Sequence, residues 1–247
     1  MLKLSPVIGH RGAASYAPEN TLEGFATAAD MGVEWVECDV KLTRDGVPVL
    51  FHDEELSRTT NGSGLMAETD YDDLKALECG SWFSDSFAGI QIPTLEEAVE
   101  VLLQHNLGLN LEIKPCPGRE AETASVALDI LSQIWDDHDR LLISSFKPTS
   151  LETARDLASD WTRGLLLEGD IDDNWAELAD YLDVRAIICN GNKLTKAEAE
   201  MLLEAEMPLL SYTINDPIRA RELQRWGIDA IITDSPDIIL ENLLTTH

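Results

Sequence analysis

Residues 209–236 read LLSYTINDPIRARELQRWGIDAIITDSP, two apolar runs with a polar, charged stretch between them. An apolar run, Leu209–Ile214, stops at Asp216-Pro217, an N-cap residue followed by proline at the first helical position. A helical pattern follows. A second apolar run, Ala230–Thr233, then stops at Ser235-Pro236, which repeats the same start signal. Strand, helix and strand joined by short turns form a βαβ unit, and two such strands lie parallel.

The same rhythm extends upstream. Apolar, β-branched runs occur at Pro6–Gly9, Trp35–Leu42, Leu107–Ile113, Leu141–Ser145, Gly164–Leu167 and Ala186–Cys189. Helical stretches follow them, and Thr94-Leu95-Glu96-Glu97 and Thr195-Lys196-Ala197-Glu198 read as capping boxes. Counting gives about eight units, and eight in roughly 250 residues predicts an α/β fold, the (β/α)8 TIM barrel. A doubly wound open sheet stays open as an alternative, although no GxGxxG follows the first run.

Composition limits the function. The 247 residues carry 18 Lys and Arg against 46 Asp and Glu, a formal charge of −28. Such a surface has no footprint for nucleic acid or for an anionic membrane. It also repels an anionic substrate, so an enzyme acting on one needs cations in its site. No apolar run approaches the ~20 residues of a membrane span, and the N-terminus lacks a signal-peptide layout. Cys38, Cys79, Cys116 and Cys189 are scattered without metal or disulfide spacing. The expected setting is the cytoplasm, without stable membrane association, and a homodimer is left open.

Two segments depart from the rhythm. Val47–His52 follows Leu42 after only Thr43-Arg44-Asp45-Gly46, too short for a parallel crossover, so it turns back as a hairpin. With Arg44-Asp45 central, His52 pairs with Glu37 on the same face. A one-residue slip pairs it with Cys38 on the other face. The second departure is Asp53–Pro93, far longer than a usual βα loop. It reads as a subdomain inserted at about residues 53–93 in a single barrel domain, next to the site.

Polar residues gather where the strands end. Gly9-His10-Arg11-Gly12 closes the first run, Glu37-Cys38-Asp39 lies in the second, His52-Asp53 ends the hairpin, and Glu112-Ile113-Lys114 ends the next strand. Side chains alternate along a strand, so Glu37 and Asp39 share a face, as do Glu112 and Lys114. The C-terminal strand ends of a barrel form its active face. Three inward carboxylates cannot all stay ionised without a cation, and an all-oxygen set suits Mg²⁺ or Ca²⁺. Two histidines beside such a cage suit general acid and base work. Arg11 and Lys114 suit an anion clamp for phosphate.

With these residues in view, the chain resembles the glycerophosphodiester phosphodiesterases of the phospholipase-C-like barrel group. The resemblance rests on His10-Arg11-Gly12, Pro18-Glu19-Asn20-Thr21, Glu37-x-Asp39, His52-Asp53 and Glu112-x-Lys114. Near the C-terminus it continues in Tyr212-Thr213-Ile214-Asn215 and in residues 227–236. It implies a barrel with a small insertion after the second strand. It also implies Glu37, Asp39 and Glu112 as ligands of one divalent metal, His10 and His52 as the acid/base pair, and Arg11 and Lys114 as phosphate contacts. Glu19 and Asn20 would support the site by holding Arg11 and capping the following helix. The implied substrates are small glycerophosphodiesters such as glycerophosphocholine and glycerophosphoethanolamine, cleaved to glycerol 3-phosphate and an alcohol. Tyr212 departs from the tryptophan common in the family, which bears on the shape of the substrate subsite.

Three rivals remain at this level. A lysophospholipase D would keep the fold and admit an acyl chain. A metal-assisted enolisation lyase also uses three carboxylates but has no need of the HRG clamp. A non-catalytic barrel would have no need of both histidines.

Overall fold

The computed structural model describes residues 2–169 and 171–244. Its elements in chain order are β1 (Val7–His10), α1 (Leu22–Asp30), β2 (Trp35–Leu42), β3 (Pro48–Leu50), α2 (Tyr71–Leu74), α3 (Leu95–Gln104), β4 (Gly108–Ile113), α4 (Glu120–Ile134) and β5 (Leu141–Ser145). They continue as α5 (Pro148–Leu157), β6 (Thr162–Leu167), α6 (Trp175–Tyr181), β7 (Ala186–Asn190), α7 (Lys196–Leu203), β8 (Leu209–Tyr212), α8 (Pro217–Trp226), β9 (Ala230–Thr233) and α9 (Pro236–Leu244). Eight strands run parallel in the order β1-β9-β8-β7-β6-β5-β4-β2, and β1 pairs with β2 to close the ring. The expected (β/α)8 barrel is the observed fold.

The start signals work as read. Thr94 and Thr195 form complete capping boxes with Glu97 and Glu198, and Asp216 caps α8 ahead of Pro217. Apolar faces of the helices and the outward faces of the strands, Val36, Cys38, Val40, Leu109 and Leu111 among them, form one large core layer. A second apolar cluster fills the barrel itself: Ile8, Trp35, Leu142, Leu166, Ala186, Ile188, Leu210, Ala230 and Ile232. These occupy the lower part of the strands, so the inward positions above them are left for polar groups. No helix among the described residues is long and apolar enough to cross a membrane.

The hairpin register differs from the expected one. Val40 pairs with Leu50, Lys41 with Val49 and Leu42 with Pro48, which is the one-residue slip. The cause is the turn. Gly46 adopts φ 87°, so the loop is three residues, Arg44-Asp45-Gly46, with Thr43 accepting from Gly46 and donating to Val47. Regular pairing ends at Leu50, and His52, lying beyond it, turns into the barrel mouth despite the register. Residues 53–93 carry short 3-10 turns and α2, and pack over their own apolar cluster of Val49, Phe51, Leu56, Met66, Leu74 and Ile92.

Candidate active site

A cavity of about 790 Å³ opens at the C-terminal ends of the strands, lined by His10, Arg11, Glu37, His52, Glu112, Lys114 and Tyr212 among others. Alternation explains the gathering. His10 stands two residues above Ile8 on β1, and Glu37 and Asp39 stand above Trp35 on β2. β2 pairs with β4 so that Asp39 lies beside Glu112. One oxygen from each of Glu37, Asp39 and Glu112 lies within 4.8 Å of the others, and all three residues are buried.

The loop after β1 delivers the first cation. Arg11 takes φ 49° and Gly12 φ 94°, and a Cβ on Gly12 would sit 2.6 Å from the backbone of Gly24 in α1. This turn lets the Arg11 amide donate to Glu37 Oε2 at 3.0 Å while Nη1 donates to Glu19 at 2.7 Å. Arg11 Nε lies 3.1 Å from Asp39 Oδ2. Asn20, at φ 56°, binds Asp39 reciprocally: its amide donates to Oδ2 at 2.9 Å and its Oδ1 accepts from the Asp39 amide at 3.1 Å. Asn20 therefore does not cap α1 as expected. Thr21, with the extended backbone a cap requires, accepts from the Gly24 amide instead. Lys114 Nζ donates to Glu112 at 2.8 Å and lies 3.9 Å from Asp39.

Each histidine is held at Nδ1 by a carboxylate. His10 meets Asp234 at 2.6 Å and His52 meets Asp53 at 2.6 Å. A carboxylate at Nδ1 fixes the ring and leaves Nε2 as the nitrogen facing the cavity. His10 Nε2 lies 3.9 Å from Glu37 Oε2. Asp234 is itself held by the Asn215 amide at 2.7 Å. Tyr212 spends its hydroxyl on the Leu167 carbonyl at 3.0 Å and sets its ring edge-to-face with Phe146, 5.8 Å between centroids. It presents a ring, not a hydroxyl, to the cavity.

The electrostatics ask for a cation. Burial pushes the Glu37 carboxyl well above its ordinary range, and Asp39 and Glu112 add to this. Burial, with Asp39, lifts Glu112 to about 7. Burial also opposes charge on Asp39, but Arg11, Lys114 and His52 outweigh it and hold this carboxyl low. Burial lowers the His52 imidazole. Glu37 Oε1 is buried without a hydrogen-bond partner among the described residues. Three clustered carboxylate donors, one with an orphaned oxygen, fit a hard divalent ion with positions left for other ligands.

The model of the glycerophosphoryl diester phosphodiesterase family matches residues 10–238. The chain belongs to this family. A glycerophosphodiester phosphodiesterase of Caldanaerobacter subterraneus is 30% identical over 95% of this chain and 96% of its own. The structure of an Oleispira antarctica phosphodiesterase in complex with the product sn-glycerol-3-phosphate is 39% identical, covers 98% of both chains and superimposes with a TM-score of 0.95. A glycerophosphodiester phosphodiesterase from Agrobacterium tumefaciens gives 0.79 at 26% identity, over 96% of this chain and 100% of its own. The protein is thus an enzyme, a phosphoric diester hydrolase of the glycerophosphodiester phosphodiesterase type.

Within this family fold, the ten residues singled out from the sequence do not all converge in the same way. His10, Arg11, Glu37, His52, Glu112, Lys114 and Tyr212 line the cavity, whereas Glu19, Asn20 and Asp39 reach it through hydrogen bonds or ion pairs with those around them. Sequence reasoning gave no role to Asp53, Asp234, Asn215 or Arg58. Barrel closure held a clue for one of them. β1 and β9 pair with Gly9 opposite Thr233, so the next residues, His10 and Asp234, are neighbours.

Proposed function

We propose that the enzyme hydrolyses glycerophosphodiesters, such as glycerophosphocholine and glycerophosphoethanolamine, to sn-glycerol 3-phosphate and the free alcohol, with one divalent ion, Mg²⁺ or Ca²⁺, held by Glu37, Asp39 and Glu112. The observation that carries this reading is the buried carboxylate cluster set between two carboxylate-held histidines. The sn-glycerol-3-phosphate named in the Oleispira antarctica complex supports the choice of product.

A bound divalent ion supplies Lewis-acid polarisation of a phosphoryl oxygen. The chain's own residues do the rest. Arg11 and Lys114 place positive charge against the phosphate in a molecule otherwise strongly anionic. His10 and His52 hold their Nε2 atoms toward the substrate, one to take a proton from the attacking oxygen and the other to protonate the departing alcohol. Asp234 and Asp53 keep those rings from rotating and stabilise each imidazolium as it forms. The Tyr212 and Phe146 rings give the cavity an apolar wall. Residues 53–93 belong to the same working unit and form part of the mouth.

The test is product identification. Wild-type enzyme with Mg²⁺ or Ca²⁺ should release sn-glycerol 3-phosphate from either diester, and His10→Ala should not. Release of another phosphate ester, or cleavage of lysophospholipid alone, contradicts the proposal.

A further inference from the structure

The segment between β3 and α3 brings Arg58 to the barrel mouth. Arg58 ends the 3-10 turn Leu56–Arg58, and this turn is firmly seated. Leu56 is fully packed, its amide donates to the Gly64 carbonyl at 3.0 Å, and Thr60 Oγ1 donates to the Leu56 carbonyl at 2.7 Å. From this base the Arg58 guanidinium binds two carboxylates at once. Nε and Nη2 donate to Asp53 at 2.5 and 3.1 Å, and Nη1 and Nη2 donate to Glu19 at 2.8 and 2.7 Å.

Those two carboxylates have different charges to hold. Asp53 holds His52 Nδ1, and Glu19 holds Arg11 Nη1. The result is an unbroken hydrogen-bonded series, Arg11–Glu19–Arg58–Asp53–His52, in which arginines and carboxylates alternate up to the His52 ring, with a cavity-lining residue at each end. We infer that Arg58 is a positioning residue through which the inserted segment aligns His52 and Arg11 together.

The physical case rests on what each pair would do alone. His52 and Asp53 are sequence neighbours at the end of a short strand, and an isolated, partly solvated pair of this kind is weakly ordered. A planar fork that grips the far side of Asp53 fixes the carboxylate, and the carboxylate fixes the imidazole. The same fork does this for Glu19 and Arg11. Misplacing a reacting group by about 1 Å costs on the order of 100-fold in rate, so alignment of this sort has a kinetic signature. The Arg58 side chain is 45% exposed, so it is poorly placed to support the core.

This inference rests on the proposed function, and the experiment separates the two. The assay is sn-glycerol 3-phosphate release from glycerophosphocholine by metal-loaded enzyme. Arg58→Gln should lower kcat by about 10–100-fold, as loss of a supporting partner does, and should also raise KM because Glu19, and through it Arg11, is held less firmly. Arg58→Lys keeps the charge but lacks the fork, and should recover only part of the loss. In a Glu19→Gln, Asp53→Asn background, Arg58→Gln should cost less than about twofold further, since its partners are already gone. Arg44→Gln is the control: Arg44 pairs with Asp70 at the base of the same segment, and its loss should leave kcat unchanged.

Wild type that releases no glycerol 3-phosphate overturns the proposed function and this inference with it. Active wild type with Arg58→Gln at wild-type kcat and KM overturns the inference alone, as does a full Arg58→Gln penalty persisting in the double background. Should Arg58→Gln fail to fold, Arg58→Lys decides: partial loss supports the assignment, and wild-type kcat and KM contradict it.

Discussion

The lower and upper halves of the barrel interior are built on the same strands and differ completely in what they bury. Ile8 and His10, Trp35 and Glu37, and Ile232 and Asp234 are each two positions apart. Below, the inward positions are apolar and packed. Above, they are carboxylates, imidazoles and cations, several of them buried. The three carboxylates above are buried much as the apolar residues below are, but the sign of that burial in free energy is opposite. Apolar burial stabilises the lower layer, whereas burial of like charges raises the free energy of the upper one until opposite charge offsets it. The lower layer is the foundation, and the upper layer holds repulsion in place for use.

Substitutions can break this contrast. The largest effects belong to the upper layer and to rate. His10→Ala and His52→Ala should each lose about 10²–10⁴-fold in kcat with melting temperature nearly unchanged. Steady-state kinetics beside calorimetry checks both halves of that statement. Next is Trp35→Ala, which empties a fully buried site whose indole Nε1 also donates to the Lys3 carbonyl at 2.9 Å. It should cost roughly 3–5 kcal/mol in denaturant unfolding while the folded fraction keeps near-normal kcat. A Trp35→Ala enzyme that is stable but dead would show the two layers to be coupled.

The third prediction concerns pH. The Glu112 carboxyl, lifted from its ordinary value to about 7, binds its proton more tightly folded than unfolded. Stability of the metal-free protein must then fall as pH rises through the range from about 4.5 to about 7, by roughly 1–3 kcal/mol from this group. Unfolding in chelator at pH 5 and pH 8 should show that loss, and Glu112→Gln should flatten it. Because a metal ion competes with the same proton, its affinity should weaken as pH drops below about 7. The smallest effect is at the rim. Tyr212→Phe removes only the hydroxyl bond to Leu167, so about 1 kcal/mol of stability and a few-fold change in KM are expected.

Much of this layering was legible in the sequence because alternation is local. Each parallel strand is an apolar run with a helix signal behind it, and the inward phase follows from counting by twos. The hairpin register escapes this counting because one glycine in the left-handed region lengthens the turn by a residue, and no periodicity reports that. His52 reaches the site anyway, since pairing stops before it. Arg58 and Asn215 stayed hidden for another reason. Their distant partners lie 39 and 19 positions away, Glu19 across the mouth and Asp234 on the next strand end, and hydrogen bonds between loops leave no pattern in composition. Asn20 has a residue type that suits a cap, but its left-handed backbone turns it inward to Asp39.

The most direct test of the upper layer is turnover by chelator-stripped enzyme before and after adding back Mg²⁺ or Ca²⁺, with glycerophosphocholine and glycerophosphoethanolamine as substrates. Release of sn-glycerol 3-phosphate should vanish on stripping and return with the ion in wild type, and should not return in Glu37→Gln. Full turnover by the stripped enzyme would mean that the three buried carboxylates serve some purpose other than holding a metal.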